Sequence, residues 1–537
     1  MALVVPEIKI PLEGTVDQAV DQAVHALGIS KGEVARGYLL KRSLDARKKG
    51  NICFVCSVGL VLKDPSREKR LVRGKITLRE EKNLEISRGR LPLTHRPVVA
   101  GFGPAGMFAA LLLAREGLAP LVLERGEAVE KRFESVQSFW RGNPLNPQSN
   151  VQFGEGGAGT FSDGKLTTRI NDPRCEFVLR ELVAHGAPEE ILYTAKPHIG
   201  TDLLRGVVRS IREEILSLGG EIHFSEQLLE LRKGQGRLEG IRTDRDCYPA
   251  QVLALCIGHS ARDTFQALCQ QGIPMEGKTF SVGVRIEHLQ EDLNVSQYGP
   301  LAGHPALGNA EYQLSYRENG RGVYTFCMCP GGFVVPAASQ EETVVVNGMS
   351  EHARDQRNCN AALVVNVGPE DFGRQPLAGM ALQERLERQA FRMGGGTYRA
   401  PIQTVGRFLE RKPGADLSRV MPSYAIGTQP GDLHQLLPST VTDLMEKGLR
   451  LFGRKIACFG QKEGVLTGVE TRTSSPVRIL REENFQSPSC QGLYPCGEGA
   501  GYAGGIMSAA VDGIRVAQQI LAQYGDLQTP VRKSVAP

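Results

Sequence analysis

The sequence predicts an α/β chain organised around one open, mostly parallel sheet, and three observations predict it. An apolar run, Val98 to Ala100, leads through Gly101-Phe-Gly103-Pro-Ala-Gly106 into a helical stretch, Pro104 to Glu116, and then a second apolar run, Pro120 to Leu123. Strand, glycine turn, helix and strand in that order make a βαβ unit. Two later apolar strands, Gln251 to Ile257 and Leu493 to Cys496, have the all-buried character of the same sheet, and the second runs on toward a helix over Ile506 to Tyr524. Since these pieces lie far apart in the chain, the unit reads as Rossmann-like and discontinuous.

The elements follow in order. Leu3 to Ile10 alternates like a strand, Val16 to Leu27 has helical spacing, and Ile52 to Leu62 is a second strand, which makes residues 1–92 a small α+β unit. Ser66 to Arg90 is dense in Lys, Arg and Glu and reads as a solvated edge or linker. Residues 93–273 form the first part of the dinucleotide unit. Residues 274–455, with strand candidates Phe280 to Ile286, Val323 to Cys329 and Thr343 to Asn347, form a cap or substrate domain. The chain returns to the first sheet over 456–525, and 526–537 is expected to be a frayed tail.

At 537 residues the chain exceeds what one core usually supports, so two or three domains are expected. Its 41% apolar and 23% charged residues are those of a packed globular protein. Sixty-four basic against 59 acidic residues give a net charge of +5 without a basic block, which argues against a nucleic-acid arm. The longest apolar stretch, Val98 to Ala114, is broken by three glycines and a proline and is too short to span a membrane. MALVVPEIKIPLEG has neither a secretory nor a transit pattern, so the expected compartment is the cytoplasm and the 12 cysteines are expected to be reduced.

The strongest local signal is the glycine turn. Gly101 permits the tight turn, Gly103 lets backbone approach a pyrophosphate, and Gly106 lets the helix pack closely, with Pro104 and Ala105 opening a helix whose N–H groups face the phosphates. Glu124, 18 positions past Gly106, is placed to accept ribose hydroxyls, and Arg125 beside it to shape the adenosine pocket. The far end of the chain distinguishes FAD from NAD. Tyr494-Pro-Cys-Gly497-Glu498-Gly-Ala-Gly-Tyr-Ala-Gly504-Gly505-Ile506-Met507 follows a strand and opens a helix, with Glu498 set for ribityl hydroxyls and the N–H groups of Gly504 to Met507 for the flavin pyrimidine edge. With a single intact GxGxxG, a separate NAD(P)H domain is not expected, although NAD(P)H remains open as an electron donor.

These segments, with SLDARKKGNICFV (43–55), FGEGGAGTFSDGKLTTR (153–169), AKPHIGTD (195–202), GHSARDTF (258–265), GVRIEH (283–288), NGRGVYTFCMCPGG (319–332), NGMS (347–350) and ETRTSSPVRI (470–479), make the chain resemble a family of FAD-dependent dehydrogenases, or NAD(P)/FAD-dependent oxidoreductases, found in bacteria and plastid-bearing organisms. The resemblance covers nearly the whole chain. It implies an FAD-bound oxidoreductase with a ferredoxin-like N-terminal module and an inserted α+β cap, and it assigns no substrate.

For chemistry, the loop Gly154 to Lys165 brings Gly156, Gly157 and Ala158 and several polar side chains against a flat ring. His259 and Lys165 are the catalytic candidates, His259 emerging at a carboxyl end of the sheet and able to donate a proton at neutral pH. Arg262 and Asp263 either serve that site or only cap the next helix, and Arg472, Thr473, Arg478 and Arg169 are candidates for holding an anion. His198 and His288 read as structural. Cys53 and Cys56 form a CxxC on a strand, where residues three apart face opposite ways, whereas Cys327 and Cys329 share a face. Cys496, just before the flavin loop, reads as a small buried residue, and no metal-ligand spacing is present. The function expected is oxidation or reduction of a small organic molecule. The alternatives are a flavin monooxygenase, a C=C reductase or a flavin-containing accessory to RNA modification. The oligomeric state is left open.

Overall fold

The computed structural model describes residues 1–80 and 83–528. Its central feature is a five-stranded parallel sheet in the order Leu493–Pro495, Leu253–Leu255, Val98–Ala100, Leu121–Glu124, Glu221–Phe224. The first four strands are short and mainly apolar because both faces are covered, whereas the edge strand Glu221–Phe224 is only partly buried. Val98, Ala100, Leu121, Leu123, Leu253 and Leu255 point into one core, and Val99, Val122 and Ala254 into the other. That period of two is what a doubly covered sheet imposes.

On one face lie the helices Pro104–Arg115, Arg174–Ala184, Thr201–Ser217 and Ile506–Gln523. Pro104–Arg115 is buried on every side from Ala105 to Ala114, which explains its uniformly apolar sequence. It crosses Ile506–Gln523 so closely that a β-carbon on Gly513 would run into the Ala105 carbonyl. The opposite face carries the helix Arg262–Gln270 and a three-stranded antiparallel sheet built from Leu228–Gly234, Arg237–Thr243 and Cys247–Pro249.

A seven-stranded sheet forms the second layer system, in the order Ser315–Glu318, Arg321–Cys329, Asn358–Val367, Phe280–Leu289, Val465–Glu470, Ala400–Thr404, Thr428–Pro430. All ten residues of Phe280–Leu289 are buried, and the helices Ala378–Met393 and Ser439–Lys455 cover the sheet. Sequence placed 456–525 with the dinucleotide unit, but Val465–Glu470 is hydrogen-bonded between Phe280–Leu289 and Ala400–Thr404 in the cap sheet. A short buried apolar run does not say which sheet it will join. The two passages between the sheets, Met275–Gly277 and Val477–Ile479, pair antiparallel with each other.

The N-terminal unit is an antiparallel sheet in the order Val34–Asp45, Cys53–Leu62, Ala2–Ile10, Thr77–Arg79, packed on the helix Val16–Leu27. Thr15 and Gln18 form a reciprocal capping box at the start of that helix, and Gly28, at φ 70°, ends it in the left-handed region. Val34–Asp45 was not anticipated, since Arg36, Lys41 and Arg42 break the alternation and only Leu39 is fully buried. Within the charged stretch 66–90, read as a solvated edge or linker, Thr77–Arg79 forms the edge strand of this sheet, with Thr77 exposed. At the other end, Tyr524–Leu527 pairs in parallel with Leu91–Leu93, so ordered pairing runs past Gly525; residues 529–537 of the expected tail lie outside the described residues. Among the described residues no helix is long and apolar enough to cross a membrane.

Candidate functional site

Three glycine-rich loops meet at the carboxyl ends of the parallel strands. The first follows Val98–Ala100. Gly101 sits at φ 99°, a region that residues with side chains avoid, and a β-carbon there would meet the Cys256 carbonyl. A β-carbon on Gly106 would strike the Gly101 carbonyl, which is the close helix packing the motif needs. At Gly103, the N-cap of the helix that Pro104 and Ala105 begin, an added β-carbon meets only Gly157 backbone, its Cα at 3.6 Å and its N at 4.0 Å. Its open side is where backbone can touch a ligand.

Glu124 ends the adjacent strand and is buried. One carboxylate oxygen accepts the Phe102 N–H at 2.8 Å, and the other accepts those of Gly126 and Gly154 at 2.9 and 3.0 Å. Glu124 therefore ties the first loop to the second, and the oxygen that accepts the Phe102 N–H keeps acceptor capacity for a hydroxyl. Arg125 turns away into a bidentate pair with Asp263, 2.9 Å on both arms, and lies over the Phe153 ring at 4.0 Å.

The second loop, Gly154 to Lys165, is pinned to the first by the Gly156 N–H on the Phe102 carbonyl at 2.8 Å. Gly156 and Gly157 have φ of 83° and 64°, and Ala158–Phe161 closes the loop as a 3-10 turn. Its organiser was not anticipated from sequence. The fully buried guanidinium of Arg132 donates to the carbonyls of Asn150, Val151, Gly154, Glu155 and Gly157. Burial pushes this arginine down to about 10 despite Glu124 and Glu155 nearby. Burial likewise raises the Glu155 carboxyl to about 7, against the Val129 N–H and Arg212. Nothing local marks such a residue, because its partners are backbone carbonyls some twenty positions on.

The third loop follows Leu493–Pro495. The Gly497 N–H donates to Asp512 at 2.7 Å, and Arg481 holds Asp512 through both nitrogens of its fork. Glu498 accepts the Gly505 N–H at 3.3 Å, and burial raises its carboxyl to about 7. Gly504 and Gly505 have open space where β-carbons would stand, and Gly505 caps the helix that Ile506 and Met507 begin.

The remaining candidates divide. His259 Nε2 stands 3.9 Å from Glu498, and its Nδ1 is 3.2 Å from the Ser260 hydroxyl. Burial first, then Arg472 and Arg262, push this imidazole down to about 3, so at neutral pH it is uncharged and not a ready proton donor. Lys165 reaches across to the Met328 carbonyl, with its Nζ 3.9 Å from Asp163, which Arg354 also holds. Arg262 and Arg472 both clasp Glu387, and the two guanidiniums overcome burial to bring that carboxyl down to about 2. Asp263 also accepts the Thr264 N–H, so it serves its helix as well as Arg125. Thr473 pairs with the Ser281 backbone, and Arg478 reaches Glu276 at 3.4 Å. His198 stacks on His352 and pairs by its backbone with Lys165 at the end of the second loop, whereas His288 lies in the cap core against Phe459 and Tyr312. Cys53 is half-buried and Cys56 buried; Cys496 is buried against Cys256, and burial pushes its thiol up. Among the described residues no cluster has the makings of a metal site.

The arrangement presents N–H groups, open glycine faces, the buried Glu124 carboxylate and the partly buried Glu498 carboxylate at the carboxyl ends of the strands, and that donor set fits a flavin dinucleotide. Residues 279–473 match the family model described as FAD-dependent protein, C-terminal domain-like, and residues 4–61 match a domain of unknown function. FAD is the cofactor this identifies. A protein of Clostridium beijerinckii, described as uncharacterized, is 49% identical over 529 residues, covering 98% of this chain and 99% of its own. Among solved structures, glycine oxidase from Bacillus cereus is similar at 9% identity and TM-score 0.36, covering 80% of this chain and 99% of that one. L-proline dehydrogenase from P. horikoshii is similar at 12% identity and TM-score 0.37, with 82% and 96% covered.

Proposed function

The chain belongs to the same family as the Clostridium beijerinckii protein, and on that premise we propose that it is an FAD-dependent oxidoreductase acting on a small organic molecule between the glycine loops and the cap sheet. The observation that carries this reading is the convergence of Gly101–Gly106, Gly154–Lys165 and Gly497–Gly505 around Glu124 and Glu498. In it, Gly103 to Gly106 face the pyrophosphate, Glu124 the adenosine ribose, Glu498 the ribityl chain, and the helix start at Gly505 to Met507 the ring. Gly156 to Ala158 cover the ring from the second loop. FAD, when bound, supplies a two-electron acceptor and donor.

His259, neutral and beside Glu498, serves as a hydrogen-bond partner in this reading, and Lys165 bridges the loop to the cap. The cap comprises 274–455 and the strand Val465–Glu470, and residues 1–92 are the ferredoxin-like module, whose strand order 2-3-1-4 with interleaved helices supports that assignment. NADH or NADPH is the proposed donor when an oxidised substrate is reduced. The test is the visible spectrum of the purified protein before and after anaerobic NADH and NADPH. A flavin band that bleaches with either gives a reductase half-reaction, and one that persists gives a dehydrogenase reduced by its own substrate. No flavin after reconstitution with FAD defeats the proposal.

A further inference from the structure

The cap strand Arg321–Cys329 breaks its register against Asn358–Val367 at one place. Phe326 stands opposite Ala362 and Cys329 opposite Asn360, so Cys327 and Met328 together face the single residue Ala361. This is a β-bulge, and it lifts the two residues out of the ladder. Cys327 adopts φ 44°, a region that residues with side chains enter where the surroundings impose it, and such residues gather at functional sites. The carbonyls freed by the bulge are taken by cations instead of by a neighbouring strand. Arg285 donates to the Cys327 carbonyl at 2.8 Å and Lys165, from the second glycine loop, to the Met328 carbonyl.

The bulge therefore holds one half-buried thiol, Cys327, on a residue whose carbonyl takes a guanidinium and whose neighbour's takes an ammonium, with the buried Cys329 thiol donating to the Cys327 carbonyl at 3.4 Å. Asp163, under Arg354, and Glu470, which pairs Arg285 at 2.6 Å, are the opposing carboxylates, and Glu498 of the third loop feels the same thiol. The Cys329 S–H, then Arg285 and Lys165, hold the Cys327 thiol below the ordinary thiol range against burial, while Cys329 is pushed up. Residues two apart on a strand lie about 6.6 Å apart at ~3.3 Å per residue, within the ~4.4–6.8 Å Cα separation a disulfide spans. The other touching pair, Cys256 and Cys496, is buried in the sheet core.

We propose that Cys327 and Cys329 are a dithiol–disulfide couple that opens toward the glycine loops and exchanges with a small organic disulfide, Cys327 attacking and Cys329 resolving. The Cys327 thiolate attacks one sulfur of R–S–S–R, forming Cys327–S–S–R and releasing R–S⁻. Cys329 yields its proton to that released thiolate, and its sulfur attacks the Cys327 sulfur and expels the second R–S⁻. The substrate disulfide gains two electrons, the protein dithiol loses two, and the Cys329 proton ends on a released thiol. This goes beyond the cofactor reading and does not rest on it.

The test uses the reduced full-length chain in two measurements. Iodoacetamide alkylation of Cys327, followed by peptide mass spectrometry across pH, reaches half its maximal rate below the ~8.5 of a free thiol if the couple is as described. A half-point at or above that value overturns the proposal. Titration with glutathione disulfide then gives an internal Cys327–Cys329 disulfide in the native chain, a glutathione adduct on Cys327 that persists in C329S, and no modification of Cys329 in C327S. A persistent adduct in the native chain overturns it equally. A chain that forms the internal disulfide but never binds FAD refutes the cofactor assignment and leaves this one intact.

Discussion

Arg132→Met tests whether one buried cation holds the second glycine loop. Methionine keeps an apolar stem of similar length and removes every donor. Three of the five carbonyls that Arg132 serves retain another partner: that of Gly154 accepts the Gly157 N–H, that of Gly157 the Thr160 N–H, and that of Glu155 the Thr160 hydroxyl. The carbonyls of Asn150 and Val151 have no other hydrogen bond among the described contacts. Leaving two buried carbonyls unpaired costs about 2–6 kcal/mol at ~1–3 each, and release of a cation that burial already penalises offsets part of it. We expect a net loss of about 3 kcal/mol, or ~6–12 °C in Tm for a cooperative unit of ~150–250 residues. Scanning calorimetry measures the shift, and flavin content per chain measures whether the loop still closes on the cofactor. A Tm within ~2 °C of the native chain together with full flavin content would refute the role given to Arg132.

Gly103→Val should leave the apo protein folded, since only Gly157 backbone stands near the new β-carbon, but abolish flavin retention; undiminished absorbance near the flavin maximum after gel filtration counts against the placement of the pyrophosphate. Glu387→Gln should destabilise by about 3–5 kcal/mol, because Arg262 and Arg472 then share one neutral partner in a buried site; denaturant midpoints that match the native chain contradict this. Glu498 has its folded pKa raised to about 7, so between the unfolded carboxylate value and pH 7 the native state binds the extra proton and native stability falls as pH rises. Glu498→Gln in flavin-free protein should therefore gain stability over the native chain progressively across that window and hold the gain above it. A difference independent of pH between 4 and 8 would show that the folded chain does not raise this carboxyl.

The parts of the fold set by local pattern were legible. Val16 to Leu27 carried its own capping box and C-terminal glycine, and the helix occupies those residues. The strand, glycine turn and apolar helix from Val98 onward were equally explicit, because a strand buried on both faces admits little but Val, Ala and Leu. Partners distant in sequence were not legible. Nothing in VLTGVE says that it pairs in the cap sheet, and Val34–Asp45 carries cations where alternation would require apolar residues. At the site, the glycines announced themselves by spacing, whereas Arg132, Asp512 and Arg481 act on backbone or on one another across long separations. The neutrality of His259 follows first from burial and then from Arg472 and Arg262, and burial and Arg472 come only with the folded chain.

The closing strand and helix of the parallel sheet also bear on how the chain is made. Leu493–Pro495 and Ile506–Gln523 are made long after the helix Pro104–Arg115, and they complete its sheet and cover one of its faces. Until then the face of that helix on which Ile506–Gln523 packs is open, while the N-terminal unit and the cap sheet already have all their strands. A nascent or truncated chain ending before residue 493 thus leaves apolar surface open to chaperones and to aggregation.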